Sequence, residues 1–336
     1  MRRGPILALL GLGTVAGVIA SAVAIFLPWL PPVASNERDR MDVVFWFTVA
    51  ICIMIFAIVV AVLGYAIIRF RAAPDDDSDG PPIHGHTGLE IVWTLIPTVL
   101  VTAIGILSAI VLARNDALGK NVLRVDVSSQ QFAWSFSYPD NGKVTSGTLR
   151  LPVDRSVQLI LTSKDVLHSF WVPEFGQKQD TVPGQVTKLH ITPNKVGTYP
   201  VICTELCGLG HSVMRTEAIV MTQKAFDSWI KSQTKATGSP NPAVSGAAVF
   251  KNNPCGSCHT LTAAGASGKV GPDLDKLPQY AQTAGKPIED FIRESVQNPN
   301  AYVEKGYPKN VMPPFNLPKS QLDALVQYLV QSSKKG

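Results

Sequence analysis

The chain has 336 residues, 46% of them hydrophobic and only 16% charged, which predicts two or three domains with membrane-embedded parts. A net charge of +5 with no basic run excludes a nucleic-acid binder built on a cationic patch. Five cysteines exclude a disulfide framework: four fall in two short motifs, and Cys52 sits in an apolar run as a packing or lipid-facing residue.

Met1-Arg2-Arg3 precedes an apolar run over residues 6–30. Basic residues before an apolar core fit a secretory signal, with Val33-Ala34-Ser35 offering small residues for cleavage. The run is also long enough to anchor in a bilayer, and both readings stay open. Residues 43–68 and 91–112 are uncharged apolar runs, each able to cross the hydrocarbon core. The positive-inside tendency puts Arg69, Arg71 and the N-terminal arginines in the cytoplasm, and everything beyond about Arg114 outside. Trp46 and Trp93 lie near span ends, where indoles favour the interface. Glu90 stands at the mouth of the third run, as an interfacial charge or as part of a proton path. His84 and His86 lack a cysteine or carboxylate at ligand spacing and read as a solvated loop.

From residue 122 to 221 the pattern becomes one of short alternating or β-branched runs, broken at Asn141-Gly142 and Pro183-Gly184. Strands at this spacing predict a sandwich or barrel. Phe132 and Trp134 belong to an aromatic strand, and His190 alternates with apolar neighbours as a strand histidine. Between two predicted strands lies Cys203-Thr204-Glu205-Leu206-Cys207-Gly208-Leu209-Gly210-His211-Ser212-Val213-Met214. Two thiols, an imidazole and a thioether in twelve residues form a soft donor set that favours copper. His168 adds a second imidazole from upstream. Gly208 and Gly210 permit backbone angles closed to other residues. A tetrahedral zinc site and a Cys203–Cys207 disulfide are the alternatives.

Residues 224–232 predict a short helix with Phe226, Trp229 and Ile230 on one side. Residues 233–242 are small, polar and proline-bearing, a composition that predicts a flexible tether. Cys255-Gly256-Ser257-Cys258-His259 is the attachment signature of c-type haem: two thiols add to the vinyl groups and the histidine reaches the iron. Met312, the only methionine after this motif, supplies the other axial ligand. Leu322, Leu325, Tyr328 and Leu329 fall at helical spacing in a closing helix.

The order His, then Cys-x-Glu-x-Cys-x-x-x-His-x-x-Met, resembles the binuclear copper A site of subunit II of haem–copper cytochrome c oxidases. With the membrane hairpin and the attached haem motif, nearly the whole chain is similar to the caa3-type branch. The resemblance implies a transmembrane α-helical hairpin, an all-β cupredoxin-like sandwich and an all-α cytochrome c domain. It implies bridging sulfurs from Cys203 and Cys207 and one imidazole on each copper from His168 and His211. Met214 and the Glu205 carbonyl become weak outer ligands, with the Glu205 carboxylate facing magnesium at the border with subunit I. It also implies proton uptake at Glu90, and electron uptake near Phe132 and Trp134. The family often has tryptophan at position 132, so phenylalanine there argues against a docking surface of the mitochondrial kind and fits an attached donor.

The expected division is residues 1–35 as signal or anchor, 42–114 as hairpin, 115–232 as copper domain, 233–243 as linker and 244–336 as cytochrome. The expected partners are subunit I, subunit III, a cytochrome c or similar donor, and membrane lipid. The expected location is a bacterial cell membrane, with the copper and haem domains on its outer face. A copper A-type nitric oxide reductase and a membrane-tethered electron carrier are the competing functions. A quinol oxidase subunit is disfavoured, because those relatives generally lack the copper ligands present here.

Overall fold

A computed structural model describes residues 3–71, 75, 80, 82, 84–142, 144–238, 245–253, 255–312, 314–315 and 317–333. Much of the expected inner loop, residues 239–243 of the expected linker and residue 244 lie outside these. The chain divides into two units: Met1–Pro32 with Asp39–Asn115, and Val33–Arg38 with Asp116–Gly336.

The first unit is built of α1 (Arg3–Phe26), α2 (Asn36–Arg69) and α3 (Thr87–Asn115). All three are long and apolar enough to cross a membrane. Helix α1 packs on α2 through small residues. A Cβ added at Gly13 or Gly17 would make ordinary contact, 3.5 and 3.6 Å, with the Cβ atoms of Ala61 and Ala57. Close backbone approach of this kind replaces the hydrophobic drive that lipid cannot supply. Helix α2 starts at Asn36, ahead of the apolar run, because Glu37-Arg38-Asp39-Arg40 is excluded from a span by charge but not from a helix. Pro97 lies inside α3 and removes one backbone donor there. The hydroxyls of Thr98 and Thr102 donate to the carbonyls of Thr94 and Thr98 at 2.7 Å, so these polar groups are paired within the helix, as lipid requires.

In the second unit the expected sandwich has two five-stranded sheets. The strands are β1 (Leu123–Gln130), β2 (Ala133–Tyr138), β3 (Val144–Ser146), β4 (Leu149–Pro152) and β5 (Val157–Ser163). They continue with β6 (His168–Trp171), β7 (Lys178–Thr181), β8 (Thr187–Ile191), β9 (Gly197–Cys203) and β10 (Arg215–Met221). The sheet orders are β3-β2-β1-β5-β8 and β4-β10-β9-β6-β7. Strand β1 runs parallel to β5 and β10 parallel to β4; the other pairs are antiparallel. Alternation puts Val125, Val127, Leu159, Leu161, Phe136 and Phe170 between the sheets, where all are buried. Each contributes about 1.5–3 kcal/mol of burial.

Ala34 and Ser35, from the Val33-Ala34-Ser35 stretch that sequence offers as cleavage-type small residues, are stitched into this sandwich. The Ala34 N–H donates to the Glu174 carbonyl and its own carbonyl accepts from Asn194. The Ser35 hydroxyl donates to the Phe175 carbonyl at 2.9 Å. Helix α4 (Gln223–Gly238) closes the sandwich, with Phe226 buried and Trp229 edge-on to Tyr138 at 5.1 Å. It runs on through residues 233–238, whose glutamine, lysine and alanine tolerate helix.

The cytochrome part comprises α5 (Gly246–Asn252), α6 (Cys255–Cys258), α7 (Leu277–Thr283), α8 (Ile288–Gln297) and α9 (Lys319–Ser333). Leu322, Leu325 and Leu329 of α9 are buried with Phe291, Ile292 and Val296 of α8. Helices α5 and α9 meet at Gly246, where a Cβ would lie 2.0 Å from the Ala324 carbonyl oxygen. Only glycine fits that crossing.

Candidate metal and haem centres

The predicted metal ligands converge at one end of the sandwich. Strand β9 ends at Cys203, and β6, its antiparallel partner, begins with His168. The loop back to β10 carries Cys207, His211 and Met214. The Cys203 and Cys207 sulfurs are 3.8 Å apart. His168 Nδ1 is 3.9 Å from the Cys203 Sγ, and His211 Nδ1 is 3.5 Å from the Cys207 Sγ. Met214 Sδ lies 3.8 Å from Cys207 Sγ, and the Glu205 carbonyl lies 3.3 Å from Cys203 Sγ. His168, Cys203, Cys207 and Met214 are buried, whereas His211 and Glu205 are half-buried. His168, Cys203 and Cys207 bring their ligand atoms within 4.8 Å of one another.

Electrostatics separates the two thiols. Burial opposes ionisation of Cys203, but the hydrogen bond with His168 and neighbouring backbone groups outweigh it and draw the thiol down. Burial, reinforced by the adjacent Cys203 sulfur, pushes Cys207 up. The donor set fits a thiolate-rich copper pair: sulfur and imidazole are the ligands copper prefers, and the thioether has little place in a zinc site.

Two residues that sequence reasoning passed over hold this arrangement. The Asp165 Oδ1 is 2.8 Å from His168 Nε2 and accepts from the Val166 N–H at 2.7 Å. Its Oδ2 accepts from the Gln131 N–H at 2.6 Å. Burial raises the Asp165 carboxyl, but these bonds outweigh it and hold it below its ordinary value. The contact at Nε2 leaves Nδ1 of His168 facing the sulfurs, as an outer-shell carboxylate does for a metal-binding histidine. The Gln131 side-chain amide donates to the Cys207 carbonyl at 2.5 Å. A carboxylate three residues before a ligand histidine was a readable signal for Asp165. Gln131 is 76 positions from Cys207, and nothing local marks it.

The loop glycines differ in role. Gly208 has φ +129 and needs its freedom. Gly210 has φ −92, open to any residue; what it needs is room, since a Cβ there would lie 2.4 Å from the Phe132 ring. Phe132 and Trp134 are both buried, with the Trp134 ring 6.3 Å from that of His168 and 5.5 Å from that of Phe170. His190 stands apart, with Nδ1–H donating to the Asp116 carbonyl at 2.8 Å.

The second centre is an apolar cleft lined by Cys255, Cys258, His259, Pro272 and Met312. His259 Nδ1–H donates to the Pro272 carbonyl at 2.7 Å, which orients Nε2 as the free ligand nitrogen. A Cβ at Gly271 would strike this ring at 2.4 Å, so the glycine makes room for it. Burial lowers His259, which keeps the imidazole neutral and able to ligate. Burial pushes the Cys255 thiol up to about 12. An apolar cleft with an oriented imidazole, two thiols and a thioether fits a covalently held haem.

Glu90, in the first turn of α3, helps cap it: its Oε1 accepts from the His86 N–H at 3.1 Å, and His86 Nδ1 accepts from the Leu89 N–H at 3.2 Å.

Family comparisons match three segments. Residues 21–111 match the transmembrane domain of cytochrome c oxidase subunit II, 144–222 its periplasmic domain, and 243–333 cytochrome c. The chain is 34% identical to cytochrome c oxidase subunit 2 of Synechocystis sp., over 62% of this chain and 76% of that protein. It is 30% identical to cytochrome c oxidase subunit 2 of Alkalihalophilus pseudofirmus, over 89% of this chain and 87% of that protein. It is also 30% identical to quinol oxidase subunit 2 of Bacillus cereus, over 60% of this chain and 71% of that protein.

Proposed function

Because the chain belongs to the cytochrome c oxidase subunit II family, with a cytochrome c domain of its own, we propose that it takes up electrons at haem c and passes them through a binuclear copper A centre to subunit I, where oxygen is reduced to water with proton translocation. Copper A and haem c, when bound, each accept and release single electrons; the chain's residues hold and separate them. Cys203, Cys207, His168 and His211 would hold the copper pair through their sulfurs and Nδ1 atoms, with Met214 and the Glu205 carbonyl completing the donor set. Cys255 and Cys258 would tether the haem, with His259 and Met312 supplying the ligands to its iron. The half-buried Glu205 carboxylate binds magnesium where subunit I meets the loop. Glu90, at the head of its span, takes up protons. The domain limits are those expected above, except that α4 carries the copper domain to Gly238 and residues 34 and 35 join its sandwich; both cofactor domains lie on the outer face. Subunit III and a cytochrome c-like donor complete the assembly.

The observation that carries this reading is the pair of sulfurs 3.8 Å apart with an imidazole Nδ1 beside each. A rigid sandwich end suits electron transfer, since the ligands need not move as charge changes. The test is the electron paramagnetic resonance spectrum of the oxidised, purified full-length protein. One unpaired electron shared by two coppers is expected; a single-copper pattern, or silence with zinc bound, would overturn the assignment.

A further inference from the structure

By sequence, residues 1–35 fit a removable leader as well as an anchor. In the structure the segment ahead of α2 is built into the sandwich. Ala34 and Ser35 are fully buried, and Glu37 and Arg38 nearly so. The Ser35 hydroxyl accepts from the Arg38 N–H at 3.0 Å, which caps the first turn of α2. The same hydroxyl donates to the Phe175 carbonyl. Ala34 bonds on both sides, to the Glu174 carbonyl and the Asn194 N–H, and the Asn36 N–H donates to the Thr192 carbonyl. The Glu37 carboxylate accepts from the Thr192 N–H at 2.7 Å. These partners lie in two turns, one after β6 and one before β9, at the strand ends away from His168 and Cys203. Ala34 to Glu37 therefore ties together two strands that carry metal ligands.

Helix α1 is shaped for a permanent partner. The apolar core of a leader needs hydrophobicity alone, and glycine inside a helix costs stability. Yet Gly13 and Gly17 of α1 stand opposite Ala61 and Ala57 of α2, where added Cβ atoms would lie 3.5 and 3.6 Å from the alanine Cβ atoms. A Cβ at Gly64 of α2 would lie 3.9 Å from the Leu12 side chain. Residue numbers rise along α1 as they fall along α2, so the two helices run antiparallel in close backbone approach. The Trp29 indole N–H folds back to the Ala24 carbonyl at 3.0 Å and closes the end of α1.

We propose that α1 is retained as a third membrane span, seated antiparallel on α2, and that Val33-Ala34-Ser35 is a structural joint and not a cleavage site. A cut after Ser35 would part the capping hydroxyl from the helix that it caps. It would put a charged ammonium at Asn36, whose N–H is bonded within the sandwich, and it would strip α2 of its partner. With 24 residues, α1 is long enough to cross beside α2.

The test begins with the complete, unmodified oxidase purified from membranes, in which the mass and amino-terminal sequence of this subunit are measured. A chain that still contains Gly13 and Gly17 is expected; one that begins after Gly17 would overturn retention. Seating is tested in the full-length protein with Cys52 replaced by serine. Gly13→Cys with Ala61→Cys is expected to form a disulfide in most molecules under mild oxidation, because the Cβ separation suits one. Gly11→Cys with Ala61→Cys is expected to form several-fold less, since a Cβ at position 11 meets nothing within 4 Å. Peptide mass spectrometry after digestion reads both pairs, and circular dichroism checks folding. Equal yields from the two pairs, or no bond between positions 13 and 61 in folded protein, would overturn the antiparallel seating.

Discussion

Replacing Asp165 with asparagine tests whether the metal site depends on a residue that binds no metal. Both carboxylate oxygens accept from N–H groups: Oδ2 from Gln131 at 2.6 Å, Oδ1 from Val166 at 2.7 Å, with His168 Nε2 at 2.8 Å. Asparagine keeps one oxygen and turns a donor NH₂ toward another donor. At least one charge-assisted bond is lost, a change of about 1.5–3 kcal/mol. The Asp165 side chain is 30% exposed, so water replaces part of the loss, which favours the lower figure. About 1.4 kcal/mol corresponds to roughly tenfold in affinity, the lower end of the ~10–100-fold range for residues that hydrogen-bond to metal ligands. The assay is copper titration of the metal-free D165N protein against a competing chelator, with circular dichroism as the check on folding. A folded D165N protein that loads copper with wild-type affinity would refute the positioning role.

Three other substitutions probe the frame around the centres. Gly246→Ala forces a methyl into the Ala324 carbonyl and is expected to destabilise the cytochrome domain by about 1–3 kcal/mol, read as earlier thermal loss of the haem absorption band. Tyr138→Phe removes a buried hydroxyl that donates to the Arg150 carbonyl and accepts from its N–H; a cost of about 1–3 kcal/mol is expected in urea unfolding of the copper domain. Glu304 lines the haem cleft and accepts from the Tyr302 hydroxyl at 2.9 Å. A carboxylate beside the cleft would favour ferric over ferrous haem, so Glu304→Gln is expected to raise the haem midpoint potential in a spectroelectrochemical titration; an unchanged or lower potential would count against it.

The candidate ligands stood out because they are concentrated. Cys203 to Met214 holds most of the donor set in one stretch, and Cys255 to His259 is a contiguous motif. The sandwich was legible as alternation, and α9 as helical spacing. Harder to read was whatever acts through the backbone or across long separations. The stitch at Ala34 and Ser35 is mostly main-chain pairing, which leaves no side-chain pattern. Gln131 reaches Cys207 only after the sheets fold. Gly210 looks in sequence like a residue chosen for its backbone angle, yet the close Phe132 ring is its reason. The start of α2 was obscured by hydropathy, which registers the membrane and not the helix.

Helix α4 has a consequence for how the enzyme responds to dilution. It is held to the sandwich by buried Phe226, by Trp229 against Tyr138, and by the Arg150 guanidinium 5.0 Å over the Trp229 ring. The covalent path from its end at Gly238 to Ser245 is seven residue steps, a reach of at most about 25 Å. A tether this short gives a linked module an effective concentration on the order of millimolar. Respiratory donors that must find the copper site by diffusion slow as they become scarce. Under the proposed route the last donor is carried by the same polypeptide, and its step would stay first-order however few oxidase molecules the membrane holds.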